Sequence, residues 1–212
     1  MNGLCDGPAG RLSPLDQDLP RMLFDDCHGA DSVVAPSIEV PRAGANGPVM
    51  LSGREELDNL IAQYGSRIVF HGSRVPIRRL EPRQASWKDG AGGRFPDGEP
   101  AVCVDVDYDV PIFTALFKFR SSPHGIDIHA DGTLTYKVKG AGTDDWRDYT
   151  GYVHVVNKQH FELVELEVPD GWPHPLVVPR TPEWRATSEV EPFAIVKVTV
   201  EDFPHPIIDY DP

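Results

Sequence analysis

Short strand-type segments separated by turn residues dominate the second half of the chain. Residues 126–129 and 133–138 alternate between apolar and polar side chains on either side of Asp131-Gly132, a pair typical of hairpin turns. Further strands are predicted at 151–156, 161–168 and, most clearly, 194–200. A chain with this many short strands so close together is expected to build a largely antiparallel sheet.

Two helical segments are predicted in the first half. Residues 52–55 have the spacing of a capping box, and Gly65 is a suitable helix end. The apolar stripe between them consists of Leu57, Leu60, Ile61 and Tyr64. A strand is predicted at 67–70, directly after this helix. A short helix opened by Pro111 is predicted over 110–119. It is expected to pack on the sheet through Ile112, Phe113, Leu116 and Phe117. Few helices and many strands predict an α+β fold.

The length of 212 residues suits one medium domain with extensions at its ends. Residues 1–49 are rich in Pro, Gly and Asp and are predicted to form an extended arm. Residues 50–203 are predicted to form a single α+β domain, and 204–212 an extended tail. No apolar run approaches the roughly 20 residues that span a bilayer. The start of the chain lacks the pattern of a signal peptide, so we expect a cytoplasmic protein without membrane contact.

The net charge is −13, which excludes a general positive field for nucleic acid. The charge is uneven, because residues 71–94 contain six basic and two acidic side chains, a local charge of +4. This segment is either an ordinary solvated loop or an anion site for a phosphate-bearing small molecule.

Cys5, Cys27 and Cys103 are odd in number and widely spaced, so neither a disulfide framework nor a zinc ribbon is predicted.

The most informative motif is the apolar segment 68–70, which leads directly into His71-Gly72-Ser73 and then Arg74. An imidazole can donate from one ring nitrogen and accept at the other, and glycine allows a ligand to approach the backbone closely. The motif therefore predicts either a binding site for a ribose or phosphate, or a histidine that only caps a strand end.

Glu189 and Glu191 precede the predicted strand 194–200. In an extended segment, residues two apart point to the same side, so both carboxylates are expected to face one site. A carboxylate there can polarise a sugar hydroxyl or stabilise a positively charged sugar. The alternative is a solvated turn in an acidic protein.

The histidines show none of the closely spaced metal-binding motifs, so no metal ligand is assigned. His129 and His154 are nevertheless candidates for neighbouring strands, which leaves a metal-dependent β-barrel enzyme as a third possibility. Asp105, Asp107 and Asp109 alternate like calcium ligands but lack the glycine and distal glutamate of an EF-hand loop.

Three segments stand in a recognisable order: Val69-Phe70-His71-Gly72-Ser73, then 101–117 with Tyr108 in its turn, then Glu189-Val190-Glu191-Pro192-Phe193 before a strand. This arrangement resembles the ADP-ribosyltransferase superfamily, in particular its diverged bacterial toxin-like branch and the related RNA 2′-phosphotransferases. The resemblance covers roughly residues 68–200 and implies a split, mostly antiparallel sheet.

The resemblance also implies a function. NAD would be the substrate, and ADP-ribose would pass to a protein, nucleic acid or small-molecule acceptor. His71 would bind the adenosine-side ribose, Gly72 would contact the nicotinamide amide, and Tyr108 would stack on the ring. Ser73 and Arg74 would belong to the same nucleotide site, and Glu191 or Glu189 would be catalytic. The middle segment departs from the family pattern, because 101–105 offers no hydroxyl or aromatic residue before Tyr108. The alternative is a non-enzymatic acidic domain that binds a protein partner.

Overall fold

A four-stranded sheet and two three-stranded sheets form the framework of the described part of the protein. The computed structural model describes residues 39–44, 46–84, 86–88, 94–96, 98–118, 124–129, 132–140, 146–164 and 183–209. Most of the predicted N-terminal arm therefore lies outside the described residues. Within them the fold is α+β, with many strands and two α-helices, as the sequence pattern predicts.

The helices are α1 (Arg54–Tyr64) and α2 (Asp109–Phe117). The strands, in chain order, are β1 (Val49–Ser52), β2 (Ile68–Ser73), β3 (Ser86–Lys88), β4 (Arg94–Pro96), β5 (Val102–Val104), β6 (His124–Ile128), β7 (Leu134–Val138), β8 (Thr150–Asn157), β9 (Glu162–Val164), β10 (Glu183–Ala186), β11 (Ala194–Thr199) and β12 (Ile207–Asp209). The predicted hairpin is confirmed as β6 and β7, which pair antiparallel. Strand β2 continues through Ser73, so the His71-Gly72-Ser73 motif belongs to the strand itself, which was predicted to end at Phe70.

The largest sheet has the order β1-β11-β8-β2. Strand β8 is antiparallel to both β11 and β2, and β1 is parallel to β11. A second sheet, β5-β10-β9, is antiparallel throughout, and a third has the order β12-β7-β6. Strands β3 and β4 pair with each other. Reciprocal 2.9 Å backbone hydrogen bonds between Phe70 and Asp105 join β2 to the end of β5. The first and second sheets thus meet directly beside His71.

Helix α1 begins without the predicted capping box. Its N-cap residue is Gly53, and no side chain of the first turn caps it. Ser52 cannot serve because it is still paired with Lys197 in the sheet. The carboxylate of Asp202 caps the helix instead: Oδ1 accepts from the backbone N–H of Arg54 at 2.9 Å. Gly65 ends the helix with a positive φ, as predicted.

Helix α2 is the centre of the hydrophobic core. Its apolar positions Ile112, Phe113, Leu116 and Phe117 are all buried, which confirms their predicted packing. The helix lies very close to β2 and β8, at Gly72 and Gly151. A Cβ at Gly72 would come well under 3.0 Å from the carbonyl of Pro111 and the hydroxyl of Thr114, and one at Gly151 would lie 2.6 Å from Ala115. Both glycines are therefore required by the packing of α2.

Alternate residues of β2 enter two different cores. Phe70 belongs to the larger core around α2, whereas Val69 belongs to a smaller cluster that includes Leu80, Val156 and Val190.

Strand β12 comes from the segment predicted as a C-terminal tail and pairs parallel with β7. No helix among the described residues combines the length and the apolar character that a bilayer crossing requires.

Candidate functional site

A cavity of about 570 Å³ lies where β2, β5, β10 and α2 meet the β6–β7 hairpin. This size falls within the usual range for small-molecule sites. His71 and Gly72 line it, so the first motif of the sequence does open into a cavity. Its other polar lining residues are Cys103, Asp105, Asp107, Thr114, Lys118 and Glu183. Its apolar walls include Phe70, Val104, Val110, Ile126, Leu134 and Trp184.

The orientation of the His71 ring is fixed by one hydrogen bond. Its Nδ1 lies 2.8 Å from the carbonyl oxygen of Cys103, which can only accept, so Nδ1 carries a proton. Burial lowers the pKa of His71 from its ordinary value, and the charges of Lys118 and Arg83 lower it further, against the opposing effect of the Cys103 carbonyl. The ring is therefore neutral near pH 7, and Nε2 carries a lone pair. This nitrogen is an acceptor or a base for a ligand in the cavity.

His154 lies on β8 directly opposite His71 and is completely buried. Its Nδ1 donates to the carbonyl of His71 at 3.1 Å, and its Nε2 accepts from the backbone N–H of Ile77 at 2.8 Å. Both ring nitrogens are thus used, which makes His154 a structural residue. It ties the site strand to the loop that carries Arg74.

The metal-dependent alternative required His154 and His129 to be neighbours. They lie in different sheets, because β8 belongs to the first sheet and His129 follows β6 in the third. Across the described part of the chain, no group of three His, Cys, Asp or Glu side chains could hold a metal ion.

The buried ring of His154 predicts a pH-dependent stability. Burial lowers the pKa of His154 to about 4, from an ordinary value of 6.5. The unfolded chain therefore binds a proton at a higher pH than the folded chain, and stability is lost as the pH falls from 6.5 towards 4. We expect a loss of about 3 kcal/mol from this group between pH 7 and pH 4.

Urea unfolding at a series of pH values measures this effect. His154→Gln keeps a donor and an acceptor but cannot titrate, so its free energy of unfolding should fall by about 3 kcal/mol less than that of the wild type over the same range. Equal pH slopes for the two proteins would contradict the assignment.

The other two residues of the first motif lie outside the described lining of the cavity. Ser73 pairs with Tyr152 in the sheet, and its Oγ accepts from the backbone N–H of Val75 at 3.4 Å. Arg74 is exposed at the start of the turn that follows. Neither is among the described residues that line the cavity. Of the predicted nucleotide-binding residues in this motif, the structure brings only His71 and Gly72 to the cavity.

Tyr108 lies in the core rather than at the cavity. Its ring packs edge-on against Phe70 at 5.7 Å, and the Arg54 guanidinium lies 4.6 Å from its centroid. Its hydroxyl donates to the carboxylate of Asp58. Burial, together with this hydrogen bond, raises the pKa of Tyr108 to about 12. These contacts account for the residue without a ligand.

Glu189 and Glu191 do point to the same side, as their spacing predicts. Both pair with Arg79, at 3.4 and 3.2 Å, and both are about half exposed. They line a different cavity of about 420 Å³, with Arg42, Asn157 and His160 among its other residues. The structure therefore does not bring them together with His71.

The separation follows from the sheet topology. Strands β2 and β11 both pair antiparallel with β8, so they run in the same direction. Residues that precede β11 must lie near the beginning of β2, whereas His71 lies towards its end. The isolated bridge between Leu80 and Val190 holds the glutamate segment in that place.

Three carboxylates that the sequence did not single out for this site, Asp105, Asp107 and Glu183, line the His71 cavity. Asp105 follows β5, and burial raises its pKa, an effect to which the charges of Asp107 and Glu183 add. Glu183 begins β10, and its Oε2 accepts from the buried Nε of Arg185 at 2.7 Å. Asp105 stood out only through a calcium-like spacing, and Glu183 through nothing in its local pattern.

Cys103 is also at the cavity, but its thiol is not activated. Burial, followed by the negative charge of Glu183, raises the pKa of Cys103 to about 11. The thiol therefore stays protonated near pH 7 and is a poor nucleophile.

No protein family, curated protein or solved structure matches this chain.

Proposed function

We propose that the His71 cavity binds the nicotinamide–ribose end of NAD and that the protein transfers ADP-ribose to an acceptor. The observation that carries this proposal is the hydrogen bond from His71 Nδ1 to the Cys103 carbonyl, which leaves Nε2 as the ring's acceptor in a residue that lines the cavity. A neutral imidazole at this position can accept a hydrogen bond from a hydroxyl of the nicotinamide-side ribose, whereas the resemblance gives His71 the adenosine-side ribose. The resemblance in 68–73 supports the same ligand, and the split sheet of the ADP-ribosyltransferases is part of the proposal.

The reaction needs little covalent chemistry from the protein. The bond between the nicotinamide nitrogen and ribose C1′ breaks, and its electron pair stays on the ring nitrogen, which becomes neutral. The positive charge moves to the sugar, where nearby carboxylates stabilise it. The acceptor oxygen then bonds to C1′ and gives its proton to a base. His71 Nε2, or a carboxylate of the cavity, is suited to take that proton.

The carboxylate role falls to a residue of this cavity. Glu183 and Asp105 line it together with His71, whereas Glu189 and Glu191 line another. Burial raises the pKa of Asp105 and so disfavours its charged form. Glu183 is held by Arg185 and supplies the fixed negative charge. Within this proposal we therefore assign Glu183 the role that the resemblance gives to Glu191.

Calorimetric titration of NAD into the purified protein tests the proposal. We expect saturable one-site binding to the wild type and a loss of at least about tenfold in affinity for His71→Ala, because a buried hydroxyl acceptor is removed. His160→Ala is the matched control, since His160 is exposed and is not among the described lining residues of this cavity.

Both variants should keep the melting temperature of the wild type to within a few degrees. Absence of heat at millimolar NAD would refute the nucleotide proposal and favour the protein-interaction alternative. Equal affinity in wild type and His71→Ala would refute the role of His71.

A further inference from the structure

The charges around the His71 cavity are strongly one-sided. Among the described residues that line it, three carry carboxylates, Asp105, Asp107 and Glu183, and one carries an ammonium group, Lys118. His71 adds a lone pair at Nε2, because its proton is on Nδ1. The cavity is therefore rich in acceptors and negative charge, although the loop that follows β2 is basic.

The carboxylates are only partly neutralised by their protein partners. One oxygen of Asp105 accepts from the backbone N–H of Asp107 at 3.0 Å, and one oxygen of Asp107 accepts from that of Asp109 at 2.9 Å. Arg185 holds one oxygen of Glu183. The Val106 N–H also donates to Asp105, and the Cys103 thiol donates to Glu183. These bonds fix the three carboxylates at the wall of the cavity. Burial is the main cause of the raised pKa of Asp105, and the negative charges of Asp107 and Glu183 raise it further.

Apolar and aromatic groups complete the walls. Phe70 and Trp184 contribute rings, and Val104, Val110, Ile126 and Leu134 contribute aliphatic surface. The Lys158 ammonium lies 3.9 Å from the centroid of the Trp184 indole, so this ring already attracts one cation. Lys158 itself is not among the described residues that line the cavity. Aromatic and aliphatic walls beside carboxylates suit an apolar ring that carries positive charge.

We propose that the His71 cavity selects a positively charged heteroaromatic ring, with Glu183 as its counter-ion, over a neutral ring of the same size. The inference rests on the proposed function in that the oxidised nicotinamide of NAD is such a ring. The inference goes beyond the proposed function because neither the ribose nor the phosphates of NAD are needed for recognition of the ring. Desolvation in the cavity strengthens the attraction between ring and carboxylate relative to water.

Two small probes that differ chiefly in charge test this selectivity: 1-methylnicotinamide, a cation, and its neutral 1,4-dihydro form, both titrated calorimetrically into the full chain at pH 8. We expect the cation to bind at one site and at least about tenfold more tightly than the dihydro form. Glu183→Gln should weaken the cation about fivefold or more and leave the dihydro form unchanged. Glu201→Gln is the charge-matched control, since Glu201 is an exposed residue after β11.

Equal affinity for the two probes, or no binding of the cation up to about 10 mM, would overturn the inference. Binding of the cation without binding of NAD would uphold the inference and refute the nucleotide proposal. If Glu183→Gln does not fold because Arg185 loses its partner, Asp107→Asn provides the second test. It removes one charge from an exposed turn and keeps an oxygen for the Asp109 N–H. Unchanged selectivity in a folded Asp107→Asn protein would count against the proposal.

Discussion

Replacing Gly72 with alanine is expected to lower the free energy of unfolding by about 3 kcal/mol. The new Cβ would overlap the carbonyl oxygen of Pro111 and the hydroxyl of Thr114. The nearer obstacle is backbone, so α2 itself would have to move away from β2. Because α2 carries buried side chains along most of its length, such a shift disturbs the whole of the larger core.

Urea unfolding of Gly72→Ala measures this cost, with Gly44→Ala as the matched control. A Cβ at Gly44 meets nothing within 4 Å, and its φ is not in the left-handed region, so we expect a change within about 0.5 kcal/mol. Similar midpoints for the two variants would show that α2 does not lie against β2 at Gly72. The expected loss does not depend on any ligand, which separates the packing role of Gly72 from the predicted contact with a nicotinamide amide.

Local patterns predicted much of the fold because they depend on neighbouring residues. Alternation predicted β6 and β7, and short apolar segments predicted β8, β11 and the buried positions of α2. The capping box failed for a reason outside the local pattern. Ser52 is used by β1, and the carboxylate that caps α1 comes from Asp202, 148 residues further along the chain from Arg54.

The candidate site illustrates the same limit. The spacing of Glu189 and Glu191 correctly placed both on one side, where Arg79 meets them. Which end of β2 they approach depends on β8 lying between β2 and β11, a property of topology that no short motif contains. Glu183 lines the His71 cavity instead, together with Asp105 and Asp107, and the pairing of β10 with β5 brings it there.

The two carboxylate assignments predict opposite kinetic results. With NAD as substrate and release of nicotinamide as the readout, we expect Glu183→Gln to lower kcat about 10²–10³-fold, because the neutral amide no longer stabilises the charge on the sugar. The resemblance instead predicts that loss for Glu191→Gln. Glu191 is an exposed partner of Arg79 outside the cavity, so we expect its variant to stay within about threefold of the wild type.

His71→Ala separates binding from chemistry in the same assay. If Nε2 accepts a ribose hydroxyl and takes up the acceptor proton, the variant should raise KM and also lower kcat, by about 10²–10⁴-fold in kcat/KM. A change in KM alone would restrict His71 to binding. A large loss for Glu191→Gln with normal turnover in Glu183→Gln would return catalysis to the glutamates before β11. It would also require a rearrangement that brings the 420 Å³ cavity to His71, because the two sites lie at opposite ends of β2.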